Sequence, residues 1–189
     1  MSNRFPGLPS VGNRLGAMLL ICLFALSACS TAPPGGMTPV TPFDLTRYEG
    51  KWYELARLDH SFERGLSDVS ATYRAQPDGS VEVINRGYDT RRNEWRQAVG
   101  RALFIAQPNQ ASLKVSFFGP FYGGYHIVAL DEQDYRWALV VGPSRDYFWI
   151  LSREKALPAT VIEHLLVRAK GLGLAVDQLI WVAQHKNEG

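Results

Sequence analysis

From about residue 50 onward, apolar and polar side chains alternate with a period of two. Val69, Ala71 and Tyr73 alternate with Ser70, Thr72 and Arg74; Val81, Val83 and Asn85 with Glu82 and Arg86; Leu113, Val115 and Phe117 with Ser112, Lys114 and Ser116. Successive side chains of a strand point to opposite faces, so this period marks strands with two distinct faces. Turn-forming clusters interrupt it at Pro77-Asp78-Gly79, Thr90 to Asn93, Gln107-Pro108-Asn109, Gly119-Pro120, Asp131 to Asp134 and Gly142-Pro143-Ser144. The pattern predicts eight strands, at 51–59, 68–76, 81–89, 94–106, 111–118, 123–130, 135–142 and 147–153. Their spacing suits an antiparallel meander, sandwich or barrel. The period then changes: Val161, Ile162, Leu165, Leu166, Ala169 and Leu172 share one face of a helix. Pro158 stands at its first turn and Gly171 where a C-terminal cap is expected. A last apolar strand is predicted at 179–183.

The first 42 residues carry a different pattern. Arg4 and Arg14 precede an apolar run from Ala17 to Leu26, too short for the roughly 20 residues that span a bilayer. It has the form of a signal peptide. The run ends in Leu26-Ser27-Ala28-Cys29, which resembles a bacterial lipobox, so 1–28 is read as a cleaved signal and Cys29 as an acylated N-terminus. Two or more acyl chains anchor stably, at about 0.8 kcal/mol per buried CH₂. Ser30, where an aspartate would signal inner-membrane retention, implies sorting to the outer membrane by similarity to lipoproteins. Residues 29–42, rich in Pro, Gly, Ser and Thr, read as a flexible tether, which leaves 43–189 as one domain.

Without Arg4 and Arg14 the chain keeps 18 basic and 18 acidic side chains, so the sequence pI of 8.6 overstates its basic character. No nucleic-acid surface is expected from such a balance. Cys22 leaves with the signal and Cys29 is committed to acyl chains, so the domain has no thiol for a disulfide, a nucleophile or a metal. His60, His126, His164 and His185 show no metal-ligand spacing, and no Gly-x-Ser-x-Gly elbow is present. Neither an enzyme nor a cofactor is implied.

Eight strands, a helix and a short strand follow the lipocalin order, and three motifs agree with it. Gly50-Lys51-Trp52-Tyr53-Glu54-Leu55-Ala56-Arg57 resembles the family's first signature, Asp134-Tyr135-Arg136-Trp137 its second, and Ile150-Leu151-Ser152-Arg153 its third. The stretches 60–66, 114–125 and 141–147 are similar to those of bacterial outer-membrane lipocalins. The resemblance implies an all-β, eight-stranded up-and-down barrel with a C-terminal helix, holding a fatty acid or lysophospholipid. It also implies that Arg153 lies across Trp52 at the closed end, and that the loops at 60–67 and 119–124 lie at the open end, where Phe62 and Phe121 would gate entry.

Charge exclusion assigns the inner face. Lys114, Glu82 and Arg86 must face water, which turns Val115, Phe117, Val83 and Asn85 inward. The same reasoning turns in Ala71, Tyr73, Tyr125, Ile127, Tyr147 and Trp149. Ile84, Val128, Val140 and Ile150 fall on the outer face, under the helix or at a homodimer contact. In the fourth strand Arg96 and Arg101 have opposite parity, which a bulge would reconcile. Arg64, Arg92 or Arg145 at the mouth would meet an anionic head group. Two alternatives share the fold: a filled structural barrel, and a pigment or haem carrier, which would want an inward histidine where His126 has the wrong parity.

Overall fold

The alternating segments form consecutive antiparallel strands that close into a barrel. The structure, a computed structural model, describes residues 31–186; the signal sequence, Cys29 and Ser30 lie outside the described residues. A one-turn helix α1 (Leu45–Tyr48) precedes β1 (Gly50–Arg57), β2 (Leu66–Ala75), β3 (Val81–Asp89), β4 (Glu94–Phe104), β5 (Ser112–Phe118), β6 (Phe121–Leu130), β7 (Trp137–Val141) and β8 (Phe148–Ser152). Then come helix α2 (Ala159–Gly171), a 3₁₀ turn and a two-residue β9 (Ile180–Trp181). Each strand pairs with the next, and β1 pairs with both β8 and β2, which closes the barrel. Closure removes the open sheet edges that would otherwise invite aggregation.

Two bulges decide which residues reach the inside. Between Glu54 and Ala56 the β1–β8 register slips, so Ala56 pairs with Ile150 and packs outside, while Arg57 pairs with Trp149. A second slip, between Ile127 and Ala129, turns both Val128 and Ala129 to the outer cluster. Val140, expected on the outside, pairs with Ile127 and Trp149 and belongs to the inner cluster. A two-residue periodicity cannot carry parity across a bulge. The bulge expected in the fourth strand is not there: β3 and β4 pair without interruption from Val81–Ala102 to Asp89–Glu94. Arg96 is on the inner parity because it sits at the rim, where Asp89 pairs with it at 3.5 Å.

Helix α2 lays Leu165 and Ala169 on an outer layer that includes Ala56, Val128, Leu139, Phe148 and Ile150. Its C-terminal glycine is Gly173 rather than Gly171: Gly173 has φ 74, and the Leu174 amide closes the end on the Ala169 carbonyl. The predicted last strand shrinks to Ile180 and Trp181 beside β1, both about half exposed.

The stretch read as a tether is partly docked. Met37 and Val40 are buried, the Val40 amide donates to the Ile127 carbonyl, and the Ala111 amide donates to the Val40 carbonyl. From Phe43 at the closed end, this strap runs back along β6 to Thr31, whose carbonyl lies against Gly124. It covers His126, whose Nδ1 is 3.0 Å from the Ser112 hydroxyl on the outer wall.

Candidate ligand-binding cavity

The floor is a stack of aromatic rings. Gly50 takes φ 89, a turn that releases β1 from α1 and brings the Tyr48 ring onto Trp52, with centroids 4.5 Å apart. Trp52 is fully buried, and its indole N–H donates to the Tyr48 carbonyl. Beneath it the Arg153 guanidinium lies 4.0 Å from the Trp52 ring and donates to the carbonyls of Tyr135, Lys51 and Arg47. Tyr135 (φ 54) receives the Asp44 amide on its hydroxyl, and Arg47 covers its ring. Asp134 is an exposed turn residue facing Arg136 at 3.6 Å. Every polar group named at this end has a partner, so the end is shut by packing and hydrogen bonds together.

Above the floor is a cavity of about 660 Å³ that opens between the loops at the other end. That size lies within the range of about 300–1,000 Å³ typical of small-molecule sites. Its wall includes Ala71, Tyr73, Val83, Asn85, Val115, Phe117, Tyr125, Tyr147 and Trp149, with Phe62 at the rim. Ile127 is fully buried in the inner cluster but packs between β5 and β7 without reaching the cavity. The filled-barrel alternative is inconsistent with this space.

Sequence reading missed one polar constellation. Glu54 shares the inward parity of Trp52, and Arg57 follows across the bulge. Arg57 Nη1 is 2.6 Å from Glu54 Oε1, its Nη2 donates to the Glu63 carbonyl at 2.9 Å, and Trp149 Nε1 donates to Glu63 Oε2 at 3.1 Å. All three charged side chains are buried. Burial pushes both carboxyls above the usual range, Glu54 the further because Glu63 faces it. A carboxyl pair hydrogen-bonded in this way holds one proton between them, so with Arg57 the group is neutral. The available signal was the parity of Glu54 with Trp52; excluding charge from the interior concealed it.

At the mouth His60 stacks between Phe62 and Tyr147, with centroids at 5.4 and 4.8 Å, and burial lowers its pKa to about 4. Phe118 and Phe121 reach past the rim, 81% and 70% exposed. Of the arginines expected here, Arg64 is held by Asp59 at 2.6 Å, and Arg92 stands near Asp89 and Glu94. Arg145 turns to the outer wall, donating to the Gly35 and Leu172 carbonyls, so it does not face the mouth. Arg96 lines the cavity.

A closed eight-stranded barrel with a plugged floor and an open apolar pocket defines a carrier of small hydrophobic molecules. Residues 43–184 match the family model of the lipocalin-like domain. The chain is 52% identical to "Outer membrane lipoprotein Blc" of Escherichia coli K12 over 85% of its length and 91% of that protein. It is 45% identical to the Vibrio cholerae protein of the same name, over 88% and 97%. It is 33% identical to temperature-induced lipocalin-1 of Arabidopsis thaliana, over 76% and 80%. The chain belongs to the lipocalin family. Insecticyanin from the tobacco hornworm shares the fold, with a TM-score of 0.63 at 19% identity, over 81% of this chain and 87% of that one.

Proposed function

We propose that the chain is an outer-membrane lipoprotein that binds one fatty acid or lysophospholipid in its calyx and stores or carries it in the cell envelope. The observation that carries this reading is the cavity itself: about 660 Å³, apolar along its length and open at one end. Burying an acyl chain there yields roughly 0.8 kcal/mol per CH₂, enough to exceed the cost of association. The polar head stays at the mouth, near Arg96. The role is binding rather than catalysis, since Glu54 and Glu63 are occupied by Arg57 and Trp149.

The anchor fits this role. Cys29 is two residues before Thr31, which lies beside Gly124 on the strand that begins at the rim with Phe121. Acylated there, the chain holds its mouth, with exposed Phe62, Phe118 and Phe121, toward the bilayer that supplies its lipid. Tryptophan fluorescence titration of the delipidated chain starting at Thr31, with palmitic acid and with palmitoyl lysophosphatidylethanolamine, tests the reading. Saturation at one lipid per barrel is expected; no response to either lipid in folded protein contradicts it.

A further inference from the structure

We infer that the cavity floor is a hydrogen-bonding subsite for an uncharged oxygen, a hydroxyl or carbonyl, carried at the inner end of the bound lipid; this rests on the lipid-carrier reading above. Three phenol hydroxyls meet there. Tyr48 comes from α1, Tyr73 from β2 and Tyr125 from β6, and all three line the cavity. The Tyr48 and Tyr125 oxygens are 2.8 Å apart, and those of Tyr73 and Tyr125 are 2.7 Å apart. Tyr48 and Tyr73 form no hydrogen bond with each other, so two bonds join three O–H groups. Each bond uses one proton. Whichever way the hydroxyls rotate, one O–H is left over and has no acceptor among the described residues.

A spare donor in an apolar cavity is costly to leave unmade, by about 1–3 kcal/mol. The neighbours do not absorb it. Phe43, Leu45, Leu113, Val140 and Leu151 line the cavity around it with carbon, and the Trp52 N–H is spent on a backbone carbonyl. Burial pushes all three phenols above their ordinary range, so each keeps its proton at neutral pH. The bound group must therefore accept. The charged groups nearby argue for a neutral one. Arg57 is matched by the Glu54–Glu63 pair, and Arg153 lies on the far side of Trp52 and donates to carbonyls. A carboxylate at the floor would have no free cation, whereas a hydroxyl or carbonyl accepts the spare proton without one.

Two lipids that differ only at the inner end test this: palmitic acid and ω-hydroxypalmitic acid, each titrated into delipidated wild type and the Tyr48→Phe/Tyr73→Phe/Tyr125→Phe variant. The readout is the ratio of the two dissociation constants within each protein, so a general change of affinity cancels. Between wild type and variant the ratio shifts by about 3- to 10-fold toward the hydroxylated lipid in wild type, the scale of one neutral hydrogen bond. An unchanged ratio, with palmitic acid still bound, overturns the subsite and leaves the carrier reading intact; binding of neither lipid overturns both. The near-ultraviolet difference spectrum of wild type alone gives a second readout if the triple variant does not fold. The hydroxylated lipid perturbs the tyrosine bands beyond what palmitic acid does, and identical spectra overturn the subsite.

Discussion

At the closed end Trp52 is fully buried, stacked on Tyr48 and backed by Arg153, whose guanidinium serves three backbone carbonyls. At the open end Phe62, Phe118 and Phe121 are left more than half in water, around a rim where the arginines are held by surface carboxylates. Both ends are rich in aromatic rings. One end uses them to stop the barrel, and the other leaves them unsatisfied where a lipid must enter. Between them, the neutral Glu54–Arg57–Glu63 group ties the first loop to the wall through Trp149. Rigidity is concentrated below the cavity and exposed apolar surface above it, the division a carrier needs if it is to keep its shape while exchanging cargo.

Cutting into the floor is expected to cost most. Trp52→Ala removes the stacked ring and destabilises by about 3–5 kcal/mol, read from urea unfolding. A loss below 1 kcal/mol would mean that the floor does not brace the barrel. Arg57→Met tests the middle of the molecule. It leaves the carboxyl pair buried without a cation and costs about 3–5 kcal/mol at neutral pH. The loss shrinks toward acid pH, where the second carboxyl takes its own proton, and a pH-independent loss would argue against the shared proton.

Titration separates the two ends further. Burial holds His60 at the mouth and His126 under the strap neutral, with pKa values of about 4. An unfolded chain protonates them below about 6.5, so their stabilisation is complete above that pH and is lost between about 6.5 and 4. Each contributes up to ~3 kcal/mol to that loss. The raised carboxyls act in the opposite sense, costing stability as pH rises above the ordinary carboxyl value. Glu63→Gln removes part of that opposing slope, so the acid limb in this variant is steeper than in wild type; an unchanged limb would contradict the assignment. The smallest effect on stability belongs to the rim. Phe118→Ser/Phe121→Ser stays within about 0.5 kcal/mol of wild type. If the mouth meets the bilayer, its uptake of lipid from vesicles slows several-fold, and an unchanged rate would remove the rim from the exchange path.

How far all this was legible in the chain depends on how local the signal is. Strands β2, β3 and β5 were plain because Lys114, Glu82 and Arg86 mark the wet face, and the same rule placed Ala71, Tyr73, Val83, Asn85, Val115 and Phe117 at the cavity wall. It failed where charge goes inside with a partner, at Glu54 and Arg57, and where charge reaches a rim, at Arg96. Val140 was placed on the wrong face because the β6 bulge shifts the register against its neighbour. The docking of Met37 and Val40 had no local signature, since two isolated apolar residues in a Pro- and Gly-rich stretch look the same whether free or packed. Tyr48 escaped notice because it sits in a one-turn helix with no period to read.

The most direct test is a palmitic acid titration of delipidated wild type beside Ala71→Trp, a change that fills the middle of the cavity without touching the rim. One lipid per barrel in wild type, and none in a variant that still unfolds cooperatively, is the expected result. Equal affinity in both would place the lipid on the outer surface and contradict the calyx as the binding site.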